Sequence, residues 1–346
     1  MSRLNLVNQA DVAFSYAPGK VILIGEHSVL YGARAIAMPI DLGIRVAIMR
    51  LNANKLGSGP ILRGVGPFFM GEISVLGPAL APQILRSALN YLLTSFGDEL
   101  RDITIAVDGN LPPGRGLGSS ASLSVALIRG IYRYFSWPLT RQELTRHALA
   151  LETIFHGSPS GIDHTVVIGE RVIGFRRSHQ GPEVWSIKLR SSLKFLIGIV
   201  GPHEGTKNAV KKLSERRKRH ASQYERIFSA LDDIACEMEI SLNSGQQASI
   251  GELMNIAQGY LNALSLSTPE IERLCAIARE RGALGAKLTG AGGGGAIIAL
   301  TDGNESCLLN AFKAAGYQSF ITEVFDNRAQ EAELELCAVG DNRKQC

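Results

Sequence analysis

The chain is organised around the stretch Leu111-Pro-Pro-Gly-Arg-Gly-Leu-Gly-Ser-Ser-Ala-Ser-Leu123. An apolar run at residues 103–107 predicts a strand that the two prolines end, and residues 121–131 have good helical character. The glycines free the backbone to take positive φ and to approach a ligand closely. A glycine loop that enters a helix is a ready anion site, because unpaired N–H groups and the positive end of the helix dipole face the ligand.

Two interpretations of this loop stay open on its residues alone. A flexible turn with a serine N-cap accounts for three glycines as well as an anion site does. The loop is not a Walker A loop, since no lysine follows the last glycine, and its G-x-G-x-G spacing is not the dinucleotide fingerprint. A phosphate loop of another kind is the better description if other parts of the chain supply a cation and a metal ligand.

Length and composition predict a globular protein with two domains. A chain of 346 residues is too long for one small core, and a hydrophobic content of 45% with 20% charged residues is typical of soluble domains. The net charge of +4 and the aromatic content of 6% do not favour a nucleic-acid partner. The basic run at residues 211–220 is predicted to be a solvated helix face.

Cysteine usage and apolar runs predict a cytoplasmic protein without a membrane partner. The five cysteines lie in the C-terminal third, form no C-x-x-C pair and are odd in number, which argues against a disulfide framework or a zinc site. The first ten residues lack the apolar core of a signal peptide, and no apolar run is as long as a membrane span.

Strands and helices are mixed without strict βαβ alternation, which predicts an α+β fold. A capping box, Thr140 with Glu143, predicts the start of one of the helices. The predicted helices cover residues 82–95, 119–134, 140–155, 206–240, 249–263, 269–281 and 306–315. The predicted strands cover residues 12–17, 21–24, 35–38, 44–49, 72–75, 103–107, 195–200, 296–300 and 319–324, with a hairpin at 166–168 and 172–175.

Two carboxylates follow the glycine loop. Glu152 lies near the end of its predicted helix, and the turn-forming stretch Phe-His-Gly-Ser-Pro-Ser-Gly can fold Asp163 back toward it. Two carboxylates beside a phosphate loop suggest one metal ligand and one base. Glu152 and His156 also have the spacing of metal ligands on a helix, but nothing else completes a zinc site.

Three further stretches indicate a function only when they are considered together. In Ala17-Pro-Gly-Lys-Val-Ile-Leu-Ile-Gly-Glu-His-Ser-Val-Leu-Tyr-Gly32, Lys20 taken alone is best interpreted as a surface lysine at a strand end. The stretch Lys287-Leu-Thr-Gly-Ala-Gly-Gly-Gly-Gly-Ala296 satisfies G-x-G-x-x-G but leads into a strand, so a backbone that passes close to a ligand or another loop explains it better. Gly205-Thr-Lys207 by itself predicts only a helix start.

Together these stretches resemble the three signature motifs of the GHMP kinases, in the same order and across most of the chain. Among galactokinases, homoserine kinases, mevalonate kinases and phosphomevalonate kinases, the stretches 19–32 and 156–163 are most similar to the mevalonate kinases. The chain departs from that pattern at three positions. Arg115 replaces a small residue, which can alter phosphate affinity, His164 replaces a common Asn, and Ala296 replaces a frequent Cys; none removes a catalytic group.

The resemblance implies a two-domain GHMP kinase fold. Residues 1–190 would form an N-terminal, ATP-binding domain like domain 2 of ribosomal protein S5, and residues 191–346 a C-terminal ferredoxin-like domain, with the active site in the cleft between them. The implied activity is ATP- and Mg²⁺-dependent phosphorylation of the 5-hydroxyl of mevalonate to 5-phosphomevalonate in isoprenoid biosynthesis. The alternatives are a neighbouring enzyme such as phosphomevalonate kinase, and a non-catalytic sensor of the same fold. A homodimer is expected from the family alone.

The resemblance also implies roles for individual residues. Asp163 would accept the proton of the attacking hydroxyl, and Lys20 would keep that carboxylate ionised and offset charge on the transferred γ-phosphoryl group. Ser120 and Glu152 would hold Mg²⁺. The implied ATP-binding residues are Gly114, Arg115, Gly116, Leu117, Gly118, Ser119 and Ser120; the third motif supplies Gly290, Gly292, Gly293 and Gly294; and the substrate-side residues are Lys20, Glu26, His27, Asp163, Thr206 and Lys207.

Overall fold

The computed structural model describes residues 12–51, 60–65, 70–74, 83–157, 161–178, 180–201 and 205–324. In these ranges the chain forms a seven-stranded sheet and a four-stranded sheet, with helices packed on both. The predicted boundary at residue 190 falls in the link between the last strand of the first sheet and the first strand of the second.

The first sheet contains β1 (Val12–Ile24), β2 (Ala35–Arg50), β3 (Ile61–Val65), β4 (Met70–Ser74), β5 (Ile103–Gly109), β6 (Ile173–Ser178) and β7 (Gly181–Ser186). Its order is β4-β3-β5-β2-β6-β7, and β1 pairs with β2 off this path. All of its pairs are antiparallel except β3 with β5. The two strands predicted between residues 12 and 24 are one continuous strand, as are the two predicted between residues 35 and 49, and β1 has a register shift between Pro18 and Gly19.

The helices on this sheet are α1 (Gln83–Phe96), α2 (Ser119–Tyr134), α3 (Arg141–His156) and α4 (Ile162–Gly169). The predicted capping box is confirmed: the Glu143 amide donates to Thr140 Oγ1 at 3.2 Å, and the Thr140 amide donates to Glu143 Oε2 at 3.1 Å. Helix α2 contacts both β1 and β2 and is buried along most of its length. The start of α2 is therefore held rigidly beside β1.

The prediction of a hairpin at residues 166–168 and 172–175 is wrong. Residues 162–169 form α4, and β6 pairs with β7 instead. Gly161, with φ +94°, begins the helix, and Ile162 and Val166, four residues apart, are both buried on the face that packs against Phe175. The β-branched run 165–168 is as consistent with a strand as with a buried helix, so tertiary packing settles its state.

The second sheet contains β8 (Leu193–Gly201), β9 (Gly285–Thr289), β10 (Gly295–Leu300) and β11 (Ser319–Val324). It is fully antiparallel in the order β11-β8-β10-β9. The predicted strands do not include β9, whose five residues are all buried and show no alternation that would indicate a strand. The remaining helices are α5 (Thr206–Arg219), α6 (Ala221–Ser244), α7 (Gln247–Ala263), α8 (Pro269–Glu280) and α9 (Glu305–Ala314), so the predicted single helix 206–240 is divided at His220.

Candidate active site

The first glycine loop lies between β5 and α2 and is attached to β1. Gly114, Gly116 and Gly118 have φ of +65°, +78° and +77°, which L side chains rarely adopt. The amide of Lys20 donates to Leu117 O at 2.9 Å, and Ser122 Oγ donates to Pro18 O at 2.5 Å. Ser119 and Ser120 are the first residues of α2. The loop therefore presents its backbone at a helix N-terminus, beside the lysine of β1.

An ion pair joins β1 to α4 next to this loop. Lys20 Nζ lies 2.8 Å from Asp163 Oδ1, and the Lys20 side chain is 4% exposed whereas that of Asp163 is 30% exposed. A Cβ on Gly118 would lie 2.7 Å from Lys20 Cγ, so the loop packs directly on the lysine stem. The lysine charge is thus buried behind a carboxylate that remains open to a ligand.

A second group of side chains surrounds the first turn of α2. Ser120 Oγ lies 3.4 Å from Glu152 Oε1 and 2.7 Å from His156 Nε2, and Glu152 Oε2 lies 3.3 Å from His164 Nδ1. Glu152 is buried. The predicted closeness of Ser120 and Glu152 is therefore observed. The sequence did not assign either histidine, although His156 follows Glu152 by one helical turn and His164 stands next to Asp163.

The third motif forms the turn between β9 and β10. Gly290, Gly292, Gly293 and Gly294 have φ of +84°, +72°, +67° and +132°. A Cβ on Gly290 would lie 3.3 Å from the Cα of Gly116, so the two glycine loops meet backbone to backbone. The interpretation of this motif as a backbone passing close to another loop is confirmed.

Glu26 and His27, predicted on the substrate side, are buried against the second sheet. Glu26 pairs with Lys287, and neither side chain is exposed; Lys287 Nζ also donates to Leu288 O at 2.7 Å. Burial raises the pKa of Glu26 and lowers the pKa of Lys287. His27 Nε2 donates to Ala291 O at 2.8 Å, and burial lowers the pKa of the His27 ring. Lys287 is the first residue of the third motif, but no role for it was evident from the sequence.

Arg115, Thr206 and Lys207 lie at the edge of this arrangement. Arg115 Nη1 is buried and has no hydrogen-bond partner among the described residues. Thr206 and Lys207 begin α5 and are exposed. Within the described ranges, no hydrogen bond or ion pair joins their side chains to Lys20 or Asp163. The structure therefore brings together Lys20, Asp163, Ser120 and Glu152 with both glycine loops, and Thr206 and Lys207 have no described bond to the ion pair.

Comparison with known proteins identifies the family. The family models for the GHMP kinases N terminal domain and the GHMP kinases C terminal domain match residues 83–170 and 238–318. The mevalonate kinase of Pyrococcus abyssi is 32% identical over 89% of this chain and 94% of its own length. The chain belongs to the GHMP kinase family. The mevalonate kinase of Aeropyrum pernix is 33% identical over 92% of this chain and 98% of its own length.

Solved structures of GHMP kinases share the fold. The structure of L. major mevalonate kinase in complex with R-mevalonate has a TM-score of 0.77 at 26% identity and covers 94% of this chain and 99% of its own. Methanococcus jannaschii mevalonate kinase has a TM-score of 0.75 at 24% identity, covering 91% of this chain and 98% of its own. The predicted two-domain GHMP kinase fold is confirmed, as is the enzyme class, an ATP-dependent small-molecule kinase.

The described residues include no group of three or more His, Cys, Asp and Glu side chains arranged to hold a metal ion. A site that takes most of its ligands from protein side chains is therefore not preformed in this part of the chain. None of the helices in the described ranges is both long and apolar enough to cross a membrane.

Proposed function

We propose that this GHMP kinase transfers the γ-phosphoryl group of ATP to the 5-hydroxyl of mevalonate, giving 5-phosphomevalonate and ADP in isoprenoid biosynthesis. The observation that carries the proposal is the Lys20–Asp163 ion pair, 2.8 Å long, beside a glycine loop at a helix N-terminus. The choice of alcohol is supported by the mevalonate kinases that match most of the chain at 32% and 33% identity. It is also supported by the likeness to a structure that holds R-mevalonate.

Asp163 and Lys20 supply the proton acceptor and the charge that the transfer requires. The Asp163 carboxylate accepts the proton of the attacking hydroxyl, and its 30% exposure leaves room for that contact. Lys20 Nζ holds the carboxylate through the 2.8 Å ion pair and offsets the negative charge of the transferred group. Phosphoryl transfer depends mostly on positioning and electrostatics, so a buried lysine that is held in place by the loop is well suited to it.

The glycine loop and α2 supply the phosphate contacts. The N–H groups of residues 114–120 bind phosphate oxygens at the positive end of the α2 dipole. Arg115 adds a side-chain donor, since its buried Nη1 has no partner among the described residues and a phosphate oxygen would satisfy it. Gly290, Gly292, Gly293 and Gly294 support the loop through the contact of Gly290 with Gly116.

Ser120 and Glu152 fit a magnesium ion. A hydroxyl and a carboxylate are the hard oxygen donors that Mg²⁺ accepts, and Ser120 Oγ and Glu152 Oε1 are 3.4 Å apart. The lack of a preformed group of three ligands among the described residues agrees with an ion that keeps several waters and binds substrate phosphates. Bound there, Mg²⁺ would neutralise charge on the phosphates. His164 orients the Glu152 carboxylate through the contact with Oε2 at 3.3 Å.

The remaining assignments rest on the sequence. Thr206 and Lys207, at the exposed start of α5, stay candidates for contact with the acceptor, with Lys207 as partner of its carboxylate. The boundary at residue 190, a homodimer and a cytoplasmic location stay predictions as well.

The test is an ADP-release assay with MgATP and four acceptors, namely mevalonate, phosphomevalonate, homoserine and galactose. Turnover confined to mevalonate supports the proposal. Turnover on another acceptor would retain the roles of Asp163 and Lys20 but assign a different substrate. Phosphomevalonate kinase is the nearest alternative. ATP binding without turnover on any acceptor contradicts the proposal and favours a sensor of this fold.

A further inference from the structure

A row of contacts joins the end of β1 to β9 and the third motif. Glu26 pairs with Lys287 at the start of this row. Thr289 Oγ1 accepts from the Ile22 amide at 2.9 Å and donates to Ile22 O at 3.1 Å. At the other end, His27 Nε2 donates to Ala291 O at 2.8 Å. Alternate residues of the segment 287–291 are therefore attached to β1 and to the turn that follows it, within residues 22–27.

These contacts bracket the place where the two glycine loops meet. Gly290 lies between Thr289 and Ala291, both of which are bonded to the β1 segment, and Gly290 is the residue that packs against Gly116. A Cβ on Gly116 would lie 3.4 Å from Thr289 O. A small shift of β9 relative to β1 would thus change the position of the first glycine loop.

The Glu26–Lys287 pair is the charged member of this row and is fully buried. Both side chains are 0% exposed, and Glu26 Oε1 is held by Lys287 Nζ. A buried ion pair is poor evidence for added stability, because desolvation offsets much of the attraction. Its best-attested use is to specify one arrangement of the elements that carry the two charges, since any other leaves a charge unpaired.

We propose that Glu26 and Lys287 form a positioning pair that sets the approach of the third glycine motif to the first glycine loop and thereby orders the loop for nucleotide phosphates. Glu26 is then a positioning residue and not a substrate contact. This inference rests on the proposed use of the loop for ATP, but it is independent of which alcohol is phosphorylated.

The test uses a neutral replacement of the whole pair. Because Glu26→Gln or Lys287→Met alone leaves a buried charge unpaired and loses stability, the double variant Glu26→Gln/Lys287→Met carries the experiment. Its fold is checked by circular dichroism and thermal unfolding. Binding of the non-hydrolysable analogue AMPPNP with Mg²⁺ is measured by calorimetric titration without any acceptor. We expect Kd to rise about tenfold, since the loop loses its fixed position, and KM for the acceptor alcohol to stay within about twofold.

The matched control is Thr322→Val. Thr322 is buried in β11, and its hydroxyl donates to Asp41 Oδ1 of β2 at 2.6 Å. It therefore also joins the two sheets, but at an edge far in sequence from both glycine motifs. This variant should keep the Kd of AMPPNP within about twofold even where its melting temperature falls as far as that of the double variant.

Two results overturn the proposal. An unchanged Kd of AMPPNP in the folded double variant makes the pair a packing feature only. A raised KM for the acceptor with unchanged nucleotide affinity makes Glu26 a substrate contact, as the sequence suggested. Failure of the proposed function is a different result: the wild-type chain would then bind AMPPNP but turn over no mevalonate.

Discussion

Two ion pairs, one on β1 and one on the turn that follows it, differ in the exposure of their carboxylates. Lys20 Nζ meets Asp163 of α4, whose side chain is 30% exposed, whereas Glu26 meets Lys287 of β9 with neither side chain exposed. A carboxylate at a surface can exchange its partner for a substrate hydroxyl at low cost, but a fully buried one cannot. Between these two carboxylates, exposure and not residue type decides which one is open to a substrate hydroxyl.

The strongest way to break the exposed pair is Asp163→Asn. The amide keeps the shape of the side chain but cannot accept the proton, so we expect kcat to fall by about 10²–10⁴-fold. The melting temperature should also fall, because the buried Lys20 charge loses its partner, so circular dichroism at the assay temperature checks that the variant is folded. ADP release under saturating MgATP and mevalonate measures the effect.

Asp232→Asn is the control for this change. Asp232 lies on α6 and accepts a hydrogen bond from the Arg34 amide at 2.7 Å, away from the glycine loops. It should retain most of the wild-type kcat. A near-normal kcat in Asp163→Asn would remove Asp163 from the role of base.

The next effect in size concerns the carboxylate that faces α2. Glu152→Gln removes the charge beside Ser120 while keeping a side-chain oxygen, so the Mg²⁺ concentration for half-maximal AMPPNP binding should rise about 10–100-fold. Calorimetric titration at several Mg²⁺ concentrations measures this without turnover. Glu143→Gln on the same helix α3 is the control, since glutamine also serves a capping box. An equal Mg²⁺ requirement in both variants would contradict the assignment of Glu152.

A pair of glycine substitutions tests how Lys20 is held. Gly118→Ala places a Cβ 2.7 Å from Lys20 Cγ, whereas Gly114→Ala meets nothing within 4 Å; both residues have positive φ. The two variants share a strain of about 1–2 kcal/mol, but only the first displaces the lysine. We expect kcat/KM of Gly118→Ala to lie about tenfold below that of Gly114→Ala. Equal values would show that the position of Lys20 tolerates movement.

The smallest expected effect concerns the pH dependence of stability and the buried residue His27, which lies next to Glu26. Burial lowers the pKa of His27; the Ala291 carbonyl acts in the opposite direction, and Arg216 of α5 lowers the pKa further. At pH values below 6.5, the ordinary pKa of histidine, the His27 ring therefore binds a proton more readily in the unfolded chain than in the folded chain. The free energy of unfolding should then fall with decreasing pH, by up to about 1.4 kcal/mol per pH unit from this ring.

Denaturant unfolding between pH 7 and pH 5 measures this slope. His27→Asn should make the slope shallower, because asparagine has no titrating ring. The exposed His220, between α5 and α6, provides the control His220→Asn, which should leave the slope unchanged. A slope that persists in His27→Asn would assign the pH dependence to another group.

Much of the fold followed from local signals. The predicted start of α2 at Ser119 and its end at Tyr134 agree with the structure, because a glycine loop, serines and a helical pattern coincide there. The capping box places the start of α3 correctly. Predictions failed where local signals are ambiguous: the apolar segment of α4 resembles a strand, and β9 has no alternation because it is buried on both sides.

In the candidate site, too, some features follow from the local sequence and others only from tertiary packing. The residue types of the three motifs, and the need for glycine at Gly114, Gly116 and Gly118, are properties of the chain itself, since positive φ favours a residue without a Cβ. Together with the resemblance to the GHMP kinases, the sequence predicted a phosphate loop, a lysine and two carboxylates, and what these groups bind stays a prediction. It could not choose partners, because Glu26 and Lys287 are 261 positions apart and each charge attracts every opposite charge alike. Packing of the two sheets buries that pair and leaves Asp163 partly exposed, so that Asp163 and not Glu26 is open to a substrate hydroxyl.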